Sequence, residues 1–251
     1  MLNVEATGPV TTLTLARPEV RNAINEELIS RLTDAFVGLP LGTRVVVLKG
    51  DGKSFCSGGD LEWMRRAAGY TEQQNVDDAV RLADLFESIV ACPAVVIAQV
   101  QGAAFGGGAG LVAASDVAVA TTGTLFAFSE VRLGLVPATI SPLVLQKIGS
   151  GHARALFTTG EAFDAERALR IGLVHEVVAP ELLETVVSQK VEAVLKNGPL
   201  SVAASKALTV SPVMSKLESA RLLARARAGD EGKEGVAAFL EKRAASFVVT
   251  P

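Results

Sequence analysis

The sequence predicts an α/β core followed by a helical region. Short β-branched runs alternate with longer stretches of helical periodicity through most of the chain, and glycine-rich turns separate them. The last part of the chain shows helical stretches without a strand pattern. We therefore predict a core over residues 1–195 and a C-terminal helical region over residues 196–251.

The first ninety residues show both kinds of periodicity. Residues 2–7 and 10–16 alternate apolar and polar positions around Gly8 and Pro9, which indicates a hairpin. Asp60 is placed as the N-cap of a short helix that follows a polar, glycine-rich loop at 50–60. The remaining predicted elements here are a helix at 25–39, a strand at 44–49 and a helix at 71–91.

A run of 28 residues, 88–115, contains no charged side chain. A window of roughly 20 apolar residues would be long enough to span a membrane. Pro93, Gln99, Gln101 and five glycines interrupt this run, and no cluster of Lys or Arg flanks it. We therefore predict a buried strand at 93–100, a tight glycine turn at 102–108 and a helix from 108 to 115, and we expect no membrane span.

The second half of the chain continues the alternation and then becomes helical. Gly149 is expected to interrupt one pair of helices, and Gly172 lies in the C-cap place of another helix. The predicted elements are strands at 116–120, 125–128 and 173–178, and helices at 141–148, 151–158, 164–171, 181–195, 199–208, 215–228 and 231–243.

Composition excludes several classes of protein. The net charge of −3 argues against nucleic acid as a general partner, because phosphate binding requires a clustered positive face. Two cysteines do not make a disulfide framework, and two histidines without a Cys/His cluster predict no metal site. Residues 1–9 lack the pattern of a secretory signal, so a cytoplasmic location is expected.

Two glycine-rich turns form an unusual pair. Residues 55–60 (FCSGGD) and 105–110 (FGGGAG) each follow a strand and precede a helix. Glycine allows close backbone approach, and N–H groups at a helix start favour negative charge. Facing each other, the turns would form an oxyanion hole for a thioester or a similar carbonyl. The alternative is that both are close-packing turns of a tightly wound fold.

The chain resembles the enoyl-CoA hydratase/isomerase (crotonase) superfamily along nearly its whole length. The segments that carry the resemblance are RPEVRNAIN (17–25), FCSGGDL (55–61), VQGAAFGGGAGL (100–111), SD (115–116), FSEVRLGLVP (128–137), TG (159–160), GLV (172–174) and FLEKR (239–243). Segments 102–113 and 128–142 look closest to bacterial methylglutaconyl-CoA hydratase-like members. The resemblance implies a ClpP/crotonase-like spiral of ββα units, with C-terminal helices that mediate homotrimers or homohexamers.

The resemblance also implies the parts of a site for an acyl-CoA thioester. The oxyanion donors would be the backbone N–H groups of Gly59 and Gly107. CoA would be part of the substrate, with no separate cofactor. The positions that fall where the family approaches CoA are Ala23, Gly59, Asp60, Leu61, Glu62, Phe239 and Lys242. Cations that could meet its phosphates, or could be merely solvated, are Arg17, Arg21, Lys53 and Lys242.

The acid–base residues decide the chemistry. Hydratases of the family commonly use two glutamates; Glu130 matches the second, whereas the first falls on Gly110, which cannot transfer a proton. A single glutamate suits a double-bond isomerase. The closer likeness favours a hydratase and implies a methylglutaconyl-type substrate, whose distal carboxylate Arg132, Arg65 or Arg66 would meet. A non-catalytic acyl-CoA-binding protein is the remaining alternative.

Overall fold

The computed structural model describes residues 1–210 and 214–249. The strands are β1 Leu2–Thr7, β2 Val10–Leu15, β3 Val45–Gly50, β4 Val95–Val100, β5 Ala103–Phe105, β6 Val117–Thr121, β7 Leu125–Ala127, β8 Ala162–Asp164 and β9 Glu176–Val178. The main sheet has six strands in the order β1-β2-β3-β4-β6-β9, and a smaller sheet has the order β5-β7-β8. The helices are α1 Glu26–Val37, α2 Leu61–Ala67, α3 Glu72–Ala91, α4 Gly107–Ala114, α5 Ser141–Thr159, α6 Ala165–Arg170, α7 Leu183–Leu195, α8 Pro199–Val210, α9 Lys216–Ala228 and α10 Asp230–Leu240.

The main sheet is parallel except at its first hairpin, where β1 pairs antiparallel with β2. Its central strands are buried on both faces, as parallel strands usually are. In β3, Val45 and Val47 pack on the α7 side, and Val46 and Leu48 pack in the larger cluster on the other side. The core therefore lies on both sides of the sheet.

The N-terminal caps follow from short polar side chains at helix starts. The Asn25 side chain accepts from the Leu28 N–H at the start of α1, and Asp60 caps α2. Thr71 and Gln74 form a reciprocal capping box at α3. The predicted hairpin and the predicted helices 25–39 and 71–91 are therefore confirmed to within one or two residues.

The uncharged run folds as predicted in outline, with one correction. Strand β4 and helix α4 occupy the expected places, and seven of the eight α4 residues are buried. The segment 102–108 is not only a turn, because Ala103–Phe105 forms strand β5 and pairs with β7. No helix among the described residues is long and apolar enough to cross a membrane.

Further differences concern short strands. The predicted strand 173–178 is a strand only over Glu176–Val178, and strand β8 at Ala162–Asp164 was not predicted. Gly149 does interrupt helix α5, with φ 72° and ψ 161°. The C-terminal region consists of α8, α9 and α10 where it is described; positions 211–213 and 250–251 of the predicted region 196–251 lie outside the described residues.

Candidate active site

The two glycine-rich turns are joined by backbone hydrogen bonds. The Cys56 N–H donates to the Ala103 carbonyl at 3.0 Å, and the Phe105 N–H donates to the Cys56 carbonyl at 3.0 Å. These bonds form an isolated parallel bridge between Cys56 and Ala104. These bonds therefore hold the two glycine-rich turns side by side.

The N–H of Gly59 points away from the segment around Ile24, with which Gly59 forms a parallel bridge. The Ile24 N–H donates to the Gly58 carbonyl at 2.7 Å, and the Asp60 N–H donates to the Ile24 carbonyl at 2.8 Å. In such a parallel bridge the middle residue, Gly59, does not use its own N–H toward the partner. The donor predicted for the oxyanion hole is thus free to face the other turn.

Gly107 is the first residue of α4. The first hydrogen bond within this helix is from the Gly110 N–H to the Gly106 carbonyl, at 3.0 Å. The N–H groups of Gly107, Gly108 and Ala109 therefore have no acceptor within the helix, as is usual for the first turn of a helix. Gly106 has φ 48° and ψ −118°, a conformation that favours glycine.

Ile24 contacts both turns. Its backbone bonds the first turn, and a Cβ at Gly107 would lie 2.9 Å from the Ile24 Cδ1. A Cβ at Gly58, where φ is 95°, would lie 3.0 Å from the Phe105 carbonyl oxygen. The two turns therefore approach as closely as glycine allows, and the spacing depends on the absence of side chains.

Glu130 lies against the second turn. It begins a short 3-10 turn, Glu130–Leu133, and its Oε1 would be 3.3 Å from a Cβ placed on Gly106. Its Oε2 is buried and has no hydrogen-bond partner among the described residues. Burial raises the pKa of the Glu130 carboxyl above its usual range, partly opposed by its own backbone N–H. A carboxyl in this state is suited to exchange protons with a ligand.

The position of the missing glutamate is filled with hydrocarbon. A Cβ on Gly110 would lie 2.4 Å from the Ile140 Cγ2 and 2.8 Å from the Phe86 Cζ. Both side chains are fully buried in the core. Two apolar side chains from α3 and the start of α5 therefore occupy the direction in which a residue 110 side chain would extend. Neither of them was predicted as a site residue.

Arg17 is held inside the site region, unlike a solvated surface cation. Its guanidinium donates to the Asp60 carboxylate at 2.7 Å and to the Ala23 carbonyl at 2.6 Å. Burial alone would raise the pKa of Asp60, but the Arg17 bond and the N–H groups of Trp63 and Glu62 hold that pKa below its usual value. Arg17 thus ties together Ala23 and Asp60, two of the positions predicted to line CoA.

The other predicted positions are more exposed. Leu61 and Glu62 lie on the open side of α2, where Glu62 pairs with Arg65. Helix α10 packs on α8 and α9, and leaves Phe239 82% exposed. Of the remaining predicted cations, Arg66 bonds Glu26 at 2.7 Å. Those that are exposed and have no ion pair among the described residues are Arg21, Lys53, Lys242 and Arg132.

The cysteines and histidines do not build a second centre. Burial raises the pKa of the Cys56 thiol to about 12, and the Gly58 N–H and Arg17 only partly oppose this. The His175 Nδ1 accepts a hydrogen bond from the Ala118 N–H at 2.9 Å. Within residues 1–210 and 214–249, no three His, Cys, Asp or Glu side chains are grouped as metal ligands.

The comparisons with known proteins show the family of the chain. Residues 5–249 match the family model described as enoyl-CoA hydratase/isomerase, and the chain belongs to this family, the crotonase superfamily, as the resemblance predicted. It is 30% identical to a crotonyl-CoA hydratase of Syntrophomonas wolfei, over 98% of this chain and 96% of that protein. It is 32% identical to a trans-2-decenoyl-[acyl-carrier-protein] isomerase of Streptococcus mutans, over 95% and 94%.

A solved structure extends the agreement to the fold. Pseudomonas aeruginosa AtuE superposes with a TM-score of 0.95 at 35% identity, covering 99% of each chain. The predicted crotonase-like α/β fold is therefore confirmed, including the presence of C-terminal helices.

Proposed function

We propose that this protein adds water reversibly to a 2-enoyl-CoA thioester. The observation that carries the proposal is the position of Glu130, whose half-buried carboxyl, with an unpartnered buried Oε2, lies beside Gly106 in the second glycine turn, directly before the candidate donor Gly107. Relatives named as enoyl-CoA and crotonyl-CoA hydratases support the same reaction.

In this proposal the thioester oxygen accepts from the N–H groups of Gly59 and Gly107. The positive end of α4 adds to the stabilisation of the enolate that forms when a nucleophile adds to the β-carbon. Backbone donors need no reorganisation during the reaction, because the bridge and the helix already fix their direction.

Glu130 then has two tasks. Its carboxylate takes a proton from water as the oxygen bonds to the β-carbon, and it returns a proton to the α-carbon as the enolate collapses. The proton count balances with one carboxyl, so Gly110 does not exclude hydration. Because Phe86 and Ile140 offer no polar group, the water would depend on Glu130 for its orientation.

Double-bond isomerisation is the second candidate, and the packing at Gly110 favours it. One carboxylate can remove a proton from one carbon of a 3-enoyl-CoA and return it two carbons away. An apolar wall beside the reacting carbons excludes competing water, which suits this reaction better than hydration. A non-catalytic acyl-CoA-binding protein is the outcome if neither reaction occurs.

The substrate class and the assembly belong to the same proposal. A methylglutaconyl-type substrate has a distal carboxylate, and Arg132 is the one of the three predicted arginines without an ion pair among the described residues. Exposed apolar side chains on α10 support a homotrimer or homohexamer, and they are Val236, Phe239 and Leu240. A cytoplasmic location stays a prediction.

The test is a panel of 2-enoyl-CoA and 3-enoyl-CoA esters, followed for both water addition and double-bond movement. Glu130→Gln should abolish turnover and leave acyl-CoA binding largely intact, because the amide keeps the shape of the side chain but cannot carry the proton. Glu166→Gln, at an exposed position of α6, is the matched control and should retain activity. Loss of binding together with turnover, in a folded Glu130→Gln protein, would contradict the acid–base role.

A further inference from the structure

Helix α2 carries the chain's only tryptophan beside the first glycine turn. A Cβ on Gly59 would lie 2.7 Å from the Met64 Cε and 3.7 Å from the Trp63 Cζ3, so the edge of the indole lies beside Met64 within van der Waals reach of the first glycine turn. At the opposite edge of the ring, the indole N–H donates to the Asp78 carboxylate at 2.8 Å. The indole therefore spans the space between the first glycine turn and α3.

The position of this indole depends on both packing and polar contacts. Trp63 packs, partly buried, against the main hydrophobic core, although none of the α2 side chains is fully buried. Arg66 of the same helix bonds Glu26, and the N-cap Asp60 bonds Arg17. The contact between Trp63 and Asp78 is the tether that orients the ring itself.

Asp78 is placed for this role. It is only 5% exposed, and its carboxylate also accepts from the Arg81 guanidinium at 2.7 Å. Asp78, Leu82 and Phe86 follow one another at intervals of four residues, so they lie on one face of α3. Phe86 contacts Gly110 at the far end of that face. The face thus forms one continuous wall, from the indole at Gly59 to the phenyl ring at Gly110.

We propose that Trp63 is a specificity-determining residue of the acyl site, and that Asp78 is the positioning residue that fixes its indole against the acyl group held at Gly59. The proposal rests on the proposed function, since it assumes that an acyl thioester binds between the two turns. An indole locked in place limits the length of the acyl chain that fits beside Gly59, whereas an unlocked indole would admit longer chains.

Three variants separate this role from a structural one. Asp78→Leu removes the acceptor, Asp78→Asn keeps an oxygen that can accept from the indole, and Arg81→Gln removes only the second partner of the carboxylate. We measure kcat/KM for crotonyl-CoA and for 2-decenoyl-CoA, with circular dichroism as the folding control. Asp78→Leu should lower kcat/KM for crotonyl-CoA by about tenfold to a hundredfold, as expected for a misplaced acyl group, and should change the ratio between the two esters.

Asp78→Asn and Arg81→Gln should keep that ratio near the wild-type value. A folded Asp78→Leu protein with an unchanged ratio, or an equal effect from Arg81→Gln, would overturn the proposal, because either result assigns Asp78 to general stability of α3. Trp63→Phe keeps a ring but loses the tether, and should also change the ratio.

Fluorescence makes the test independent of turnover. Because Trp63 is the only tryptophan, its emission reports on this site alone. Titration with butyryl-CoA should change the emission more than titration with free CoA. An equal response to both would contradict the placement of Trp63 against the acyl group, whether or not the protein turns over any enoyl-CoA. A failure of turnover alone would contradict only the proposed function.

Discussion

Replacing Gly110 with alanine tests whether the catalytic centre is closed to a second carboxylate. In an ordinary helix this exchange stabilises by roughly 0.5–1 kcal/mol, because glycine loses more backbone entropy on folding. Here the added Cβ would lie 2.4 Å from the Ile140 Cγ2 and 2.8 Å from the Phe86 Cζ, both on buried side chains. Overpacking of this kind costs about 1–3 kcal/mol. We therefore expect a net loss of about 1 kcal/mol in the free energy of unfolding.

A double-mutant cycle measures the cause of that loss. The four proteins are wild type, Gly110→Ala, Ile140→Ala and the double variant, unfolded in urea at one protein concentration because assembly would shift the apparent stability. Ile140→Ala alone should cost about 2–5 kcal/mol through its cavity. In that background the closest contact is gone and the Phe86 ring, 2.8 Å from the added Cβ, can shift into the cavity. Gly110→Ala should therefore cost less than in the wild type, with a coupling of about 1–3 kcal/mol.

Two results would refute this reasoning. Gly110→Ala could stabilise the wild-type protein, which would mean that Ile140 and Phe86 move aside freely. It could also cost the same in both backgrounds, which would locate the strain elsewhere. If the cycle behaves as expected, Gly110→Glu alone will not restore a two-glutamate site, because its carboxylate would be buried against hydrocarbon.

Three further predictions concern the glycine turns, the pH dependence and the thiols. Gly107→Ala places a Cβ 2.9 Å from the Ile24 Cδ1, so we expect kcat to fall by roughly a hundredfold or more as the donor shifts, with unchanged kcat contradicting its role. The Glu130 carboxylate must be ionised to accept a proton, and its folded-state pKa is raised above 4.5, so the acid limb of the pH profile of kcat/KM should lie above that value. Because the raised pKa also means that ionisation of Glu130 opposes folding, the wild type should lose stability relative to Glu130→Gln as the pH rises through the same range. Unfolding of both proteins at several pH values measures this difference. Cys56 and Cys92 are buried and burial raises both thiol pKa values, so a thiol reagent at pH 8 should label them only after unfolding, and rapid native labelling would contradict this.

Local sequence patterns were sufficient to single out the two glycine-rich turns, because each turn follows a strand and precedes a helix, and the structure joins the two segments through the Cys56–Ala104 bridge. The choice of Gly59 and Gly107 as donors within those turns came from the family resemblance. Glu130 could also be named only through that resemblance, since no local pattern distinguishes it from a surface glutamate. Glu130 lies close to Gly106 because β5 pairs with β7, which is a contact between separate segments of the chain.

Contacts between distant segments account for what the sequence did not predict. Phe86 was recognised as part of a helical face, but its contact with Gly110 depends on how α3 packs against α4. Arg17 was considered only as a phosphate ligand or a solvated charge, whereas it bonds Asp60, 43 residues away. The three-residue strand β8 is too short for its periodicity to be detected.

The uncharged run now has a physical explanation in helix α4. This helix is buried along almost its whole length, so a charged side chain would lack solvent on any face. Its dipole is compensated at the C-terminal end, where the Lys147 Nζ donates to the Ser115 carbonyl at 2.9 Å. At the N-terminal end Glu130 lies beside Gly106, and its buried Oε2 bonds none of the described residues, the Gly107 N–H included. Under the proposed function, an enolate oxygen would bring the negative charge that compensates this end of the dipole, and the burial of residues 88–115 would strengthen that compensation.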